Sequence, residues 1–380
     1  MGNCPITSPQ VANSPSIITT AHRGRRVLNK RSWSSITSGD VATGHCKRGG
    51  NPLSAKQSEM NSARPIVFVI DVEPDDRQTA KGRSGWESSE SALDKLESLR
   101  GELETATGRP VRYNWFFRFD AQIEQTFGRA DYVAEACPRL IRAVVERGDA
   151  AGIHVHLWRW SKARSSWFND FADRDWVAEC LAVSISSFEG IFGRRPEMAR
   201  FGDRWLSQQA VDLMIEAGIR YDLTVEPGLP GGGIHDDPHA TGTLPDYRHA
   251  PRNPYQPRPG NYLEASSELN PDGMWMIPVT TTAPKWRLVR RSPYIMRASR
   301  SPNLALSANY VWPHLQTELA TPGRAPLVTV FRSGDLSVAG FKRNFDSTTR
   351  RLSRHSALQY CTFTDPENAI EHWLSQSSDT

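Results

Sequence analysis

The chain has 380 residues, 38% of them hydrophobic and 23% charged, which is enough for one large or two ordinary domains and excludes a small scaffold dependent on staples. Its 46 lysines and arginines against 42 aspartates and glutamates leave a net charge of +4, too small a surplus to point to nucleic acid or a membrane surface as partner. Five scattered cysteines, Cys4, Cys46, Cys137, Cys180 and Cys361, form no CxxC pair, which excludes a disulfide framework and a structural zinc finger.

Residues 1–62 are rich in Ser, Thr, Asn, Gly, Arg and Lys without an apolar period, so they are expected to form a disordered tail, with one folded domain over 63–380. The tail lacks the apolar core of an export signal despite Arg25 and Arg26, and Ile6 stands where a myristoylation signal wants Ser or Thr. No run approaches the roughly 18 to 20 apolar residues of a bilayer span, so the expected location is cytoplasmic.

Order begins at Arg64 with the uninterrupted run Ile66-Val67-Phe68-Val69-Ile70, the pattern of a strand covered on both faces. A helix over 88–107, with Leu93, Leu96 and Leu99 three apart, leads to a strand over 111–119. A helix over 132–147 ends at Gly148 and enters a third strand over 152–158. Helix 175–192, a strand near Ala199, helix 206–217 and a strand over 220–225 continue the alternation. Such repetition of strand and helix predicts a parallel βα architecture, barrel or doubly wound. Residues 227–273 turn to Pro, Gly, Asn, Asp and His and are expected to be a long loop insertion; Gly231-Gly232-Gly233 within it lacks the context of a phosphate loop. A strand over 274–279, a helix over 303–319, a strand over 327–331 and a helix over 366–375 complete the predicted elements.

The chemistry gathers where strands end, the place at which βα folds build their sites. The first strand runs into Asp71-Val72-Glu73-Pro74-Asp75-Asp76, and Asp71 and Glu73, two apart, share one face. Convergent carboxylates ask for a cation. The third strand carries His154 and His156, again two apart, so both imidazoles point one way and can share a metal ion. With a carboxylate of the first strand they make a His, His, Asp/Glu set that leaves a coordination position for water, the mark of a catalytic site. Asp120 and Asp203 follow the second and fourth strands, and helix capping or arginine pairing competes with contact to substrate hydroxyls or the metal for both. Between 285 and 300, Lys285, Arg287, Arg290, Arg291, Arg297 and Arg300 surround Trp286 and Tyr294, a pattern suited to an anionic sugar or phosphate as well as to a solvated face.

These residues together resemble the polysaccharide deacetylases of the NodB-homology, carbohydrate esterase family 4 type. The likeness lies in the acidic Asp71-x-Glu73, the strand Trp115-Phe116-Phe117-Arg118, the segment 148–156 with its Gly-Asp-x-x-Gly-x-His-x-His, and Arg200-Phe201-Gly202 before a helix leading to Tyr221-Asp222. The resemblance implies a distorted (β/α)7 barrel, a divalent metal, zinc in the first instance, and hydrolysis of an acetyl group on a carbohydrate. It implies that Asp71 is the catalytic base, Arg200 its brace, and Glu73 and His154 metal ligands, with His156, from its spacing on the strand, as the second histidine. Asp120, Trp158, Asp203 and Arg332 are then the expected substrate contacts. Family members commonly space the histidines as HxxxH and use Asp where Glu73 stands. Their late strand also offers a histidine as acid, whereas residues 327–335 hold none, leaving Arg332, Asp335, His235, His239 or His249 for that corner. A barrel that binds sugar without turnover is the alternative. A metal-free glycosidase using Asp71 and Glu226 ranks below it, since it leaves the histidines unexplained.

Overall fold

The computed structural model describes residues 63–80, 84–234, 237–281, 303–320 and 325–377. The expected tail, the basic stretch between Lys285 and Arg300, and His235 lie outside them. The strands in chain order are β1 (Arg64–Val72), β2 (Asn114–Arg118), β3 (Ala150–Val155), β4 (Trp158–Ser161), β5 (Ser166–Asn169), β6 (Met198–Phe201), β7 (Tyr221–Asp222), β8 (Pro257–Arg258), β9 (Asn261–Ala265), β10 (Trp275–Met276), β11 (Leu327–Arg332) and β12 (Cys361–Phe363). The helices are α1 (Glu87–Thr107), α2 (Ala121–Phe127), α3 (Val133–Ala136), α4 (Pro138–Arg147), α5 (Arg174–Phe192), α6 (Gln208–Glu216), α7 (Ala308–Ala320), α8 (Ala339–Ser353) and α9 (Pro366–Ser377).

Seven strands make one curled parallel sheet in the order β10-β7-β6-β3-β2-β1-β11, and β12 pairs with the first residues of β1. The two edges meet where Thr280, just past β10, donates its N–H to the Val328 carbonyl of β11 at 3.2 Å. This is a distorted (β/α)7 barrel, as the motif resemblance implied.

The two-residue period of the strands divides the buried side chains into two sets. Phe68, Ile70, Phe117, Ile153 and Phe331 pack with Leu93, Leu96, Leu99 and Leu103 of α1 and with the other helices in the larger core. Val67, Val69, Phe116, Met198, Leu223, Trp275, Val328 and Val330 form a second cluster inside the barrel, against which Ala369 and Ile370 of α9 also pack. Full burial of such a side chain stabilises the fold by about 1.5–3 kcal/mol. Further along the same inward rows the residues become ionic: Asp71 and Glu73 after Val69, Arg118 after Phe116, Arg200 after Met198, Arg332 after Val330. The floor of the barrel is apolar and its mouth is charged.

Several elements depart from the expected pattern. The helix predicted over 132–147 is split, because Pro138 has no N–H to give and starts α4 afresh. The third strand ends at Val155 rather than 158, and two hairpins that were not predicted follow, β4–β5 from Trp158 and β8–β9 in the long loop. Helix α8 was not expected either; its buried face uses Thr348, Thr349 and Ser353 beside Phe345 and Leu352, which blurs the apolar period. No helix among the described residues is long and apolar enough to cross a membrane.

Asp222 of β7 is fully buried, and burial pushes its carboxyl up to about 6 although hydrogen bonds from Thr224 and the Arg200 charge pull it down. A raised carboxyl favours the protonated folded state, so Asp222 costs stability progressively as pH rises from its ordinary value of 3.8 through about 6. At about 1.36 kcal/mol per pKa unit the full cost is about 3 kcal/mol. Asp222→Asn should therefore raise the urea midpoint relative to the parent above pH 6, and the gain should vanish towards pH 4. An equal difference at pH 4 and pH 7.5 would contradict it.

Candidate metal centre

The pairing of β3 with its neighbours sets Arg118 and Arg200 on either side of His154, with Val155 beside Phe201. Closing the barrel then carries Glu73, just past β1, across to the two histidines. Oε1 of Glu73 lies 2.9 Å from Nε2 of His154 and 3.5 Å from Nε2 of His156, and the two Nε2 atoms are 3.0 Å apart. All three residues are buried, with ligand atoms within 4.8 Å of one another.

A hydrogen-bond partner places one proton of the His154 ring. Nδ1 of His154 faces the Arg200 carbonyl oxygen at 3.0 Å, and since a carbonyl can only accept, the ring proton sits on Nδ1. Nε2, on the opposite side of the ring, faces Oε1 of Glu73. Burial alone would raise the Glu73 carboxyl, but the Arg332 guanidinium and the two imidazoles hold it well below the usual carboxylate range. A carboxylate oxygen and two imidazole nitrogens converge within 2.9–3.5 Å of one another, an arrangement that a cation satisfies. The donor set of two imidazoles and one carboxylate is one that suits a divalent transition metal such as zinc. His156 is held neutral, well below the usual histidine range, by its burial and then by the Arg118 charge.

The remaining charges support this trio. Arg332 Nη2 binds Oε2 of Glu73 at 2.7 Å, leaving Oε1 for the histidines. Arg200 Nε reaches both oxygens of Asp71 at 3.1 and 3.2 Å, its Nη1 donates to the Leu223 carbonyl, and its Nη2 lies 3.7 Å from Glu226. Asp71 Oδ1 is 3.8 Å from Nδ1 of His154, on the side of the ring facing away from the ligand atoms. Of the two acids on the first strand, Glu73 joins the histidines and Asp71 joins Arg200. Arg200 also stands between Asp71 and Glu226, the pair a glycosidase would need, and burial pushes the Glu226 carboxyl up.

Four residues expected at the substrate have other partners. Asp120 is buried and caps α2 by accepting from the Gln122 and Ile123 N–H groups, while its second oxygen takes Arg118 Nε at 2.6 Å. The same oxygen also accepts the His156 N–H at 3.3 Å. Trp158 is 2% exposed and donates Nε1–H to Nδ1 of His156 at 3.2 Å, with Arg77 over its ring. Asp203 sits beside Arg77 and His156. Arg332 grips Glu73. Of the residues weighed as acid, Asp335 accepts from Asn303 Nδ2 at 3.1 Å, and His249 lies near Asp246 in the long loop.

Sequence reasoning placed Gly202 in a motif but gave it no role. A Cβ there would lie 2.2 Å from the His156 ring, so the bare backbone of β6's end is the wall against which this ligand rests. Gly152 does the same for the strand itself, since its Cβ would meet the Met198 carbonyl at 2.4 Å. Gly202→Ala should displace His156 and weaken zinc binding by about the 10–100-fold that loss of a ligand's support costs. Zinc titration beside a melting curve checks this: unchanged affinity would mean that the ring has room to move.

No protein-family model and no curated protein matches the chain. Among solved structures it is similar to a probable polysaccharide deacetylase from Pseudomonas aeruginosa PAO1, with 15% identity and a TM-score of 0.49 over 83% of this chain and 93% of that one. It is also similar to the allantoinase PuuE, with 16% identity and a TM-score of 0.47 over 83% of this chain and 91% of that one. A family 4 carbohydrate esterase from Streptomyces lividans, solved with acetate, follows at 10% identity and a TM-score of 0.34 over 79% and 91%. At these values the likenesses say nothing of chemistry, which rests on the residues themselves.

Proposed function

We propose that the chain is a metal-dependent hydrolase that removes an acetyl group from a carbohydrate. The observation that carries the metal is the convergence of Glu73 Oε1 with two buried imidazole nitrogens. The acetylated sugar comes from the motif resemblance of residues 71–73, 148–156 and 200–202. A divalent ion held by Glu73, His154 and His156 would supply Lewis-acid polarisation of the acyl carbonyl and of an attacking water. Asp71 takes the proton of that water at its carboxylate, and Arg200 keeps the carboxylate aimed. Arg332 fixes the orientation of Glu73 from behind, and the Arg200 carbonyl fixes His154.

A second reading, a sugar-binding barrel without turnover, is favoured by Arg332 standing on β11 where a histidine acid would be expected. Zinc content and acetate release from acetylated oligosaccharides, with and without a chelator, separate the two. Chelator-sensitive acetate release supports the hydrolase, bound zinc with background release supports the binding protein, and a protein that takes up no zinc overturns the metal site.

A further inference from the structure

His156 has a proton in the wrong place for a metal ligand. Trp158 Nε1 can only donate, and at 3.2 Å it points at Nδ1 of His156, so Nδ1 accepts and the neutral ring carries its proton on Nε2. Nε2 is the atom that faces Glu73 and His154. To offer a lone pair there, the ring must move its proton to Nδ1, where it needs an acceptor.

Asp203 supplies one. Its Oδ2 is buried, has no hydrogen-bond partner, and lies 3.5 Å from Nδ1 of His156, while Oδ1 is held by Arg77. An acceptor in this condition costs free energy for nothing in the arrangement described so far. The backbone is also strained to put it there: Asp203 and Arg204 both sit at φ 54°, in the left-handed region that non-glycine residues avoid. The bare Gly202 immediately before them lets the ring lie against this turn.

We infer that Asp203 is a positioning residue for the metal centre, taking the Nδ1–H of His156 when Nε2 binds the ion, and that Trp158 holds the opposite tautomer when no ion is bound. The inference rests on the metal reading proposed above. It makes His156 a two-position ligand: Trp158 stabilises the form that cannot bind, Asp203 the form that can. Metal-ligating histidines ordinarily donate their second N–H to a carboxylate or carbonyl, as His154 does to Arg200, and Asp203 gives His156 the same support.

The test is a zinc titration of the full chain against a competing chelator, with nitrogen NMR of histidine-labelled protein. In the parent protein the His156 proton should be on Nε2 without zinc and on Nδ1 with it. Asp203→Asn, which tolerates the left-handed backbone, should weaken zinc binding by about 10–100-fold. Trp158→Phe should strengthen it several-fold by removing the donor that favours the metal-free form. Equal zinc affinity in Asp203→Asn, weaker binding in Trp158→Phe, or an Nδ1 proton already present without zinc would each overturn the inference while leaving the metal site standing. A parent protein that takes up no zinc would sink both together.

Discussion

His154→Ala should purify without divalent metal and still fold. The ring contributes one of three ligand atoms, and a site left with Glu73 and His156 should lose more affinity than the roughly 10–100-fold that removal of an outer partner costs. The barrel should survive because β3 keeps its hydrogen bonds to β2 and β6 and its outward side chains Ile153 and Val155 remain in the helix-facing core. Elemental analysis and a melting curve decide the matter. Full occupancy would show that the ion sits elsewhere, and a collapsed fold would make His154 a structural residue first.

Asp71→Asn should remove activity without removing metal. The carboxylate lies on the Nδ1 side of His154 and on Arg200 rather than among the ligand atoms, so occupancy should stay near that of the parent. Asn fills the same space and can still accept from Arg200, but it cannot take a proton, and loss of a general base typically costs about 10²–10⁴-fold in rate. Glu73→Ala should instead lose metal and rate together. Measuring zinc content and acetate release on both variants separates the roles: a metal-free Asp71→Asn protein would reverse the assignment, and two active variants would remove the first strand from the reaction.

The two-residue period of a strand is a local property, and much of the centre could be read from it. It placed Asp71 with Glu73 and His154 with His156 on shared faces, set the apolar run of β1 in a parallel sheet, and put the charged residues at strand ends. Helices with a full leucine stripe, such as α1, were legible for the same reason. Helix α8, whose inner face is half threonine and serine, was not.

The partners of those residues were decided by closure of the barrel. Glu73 meets His154 across 81 residues of chain and Arg332 across 259, and no window of sequence carries that information. Which acid of the first strand joins the histidines depends on where Arg200 arrives from β6, since one guanidinium claims Asp71 and leaves the histidines to Glu73. Asp120 and Asp203 occupy like positions after their strands, yet one caps a helix and the other keeps a bare oxygen towards a ligand, because only the second follows a glycine that lets an imidazole come close. Alternation along a strand is set by covalent geometry and is visible in the chain itself. The choice of partner is set by how distant strands pack, and only the folded barrel makes it.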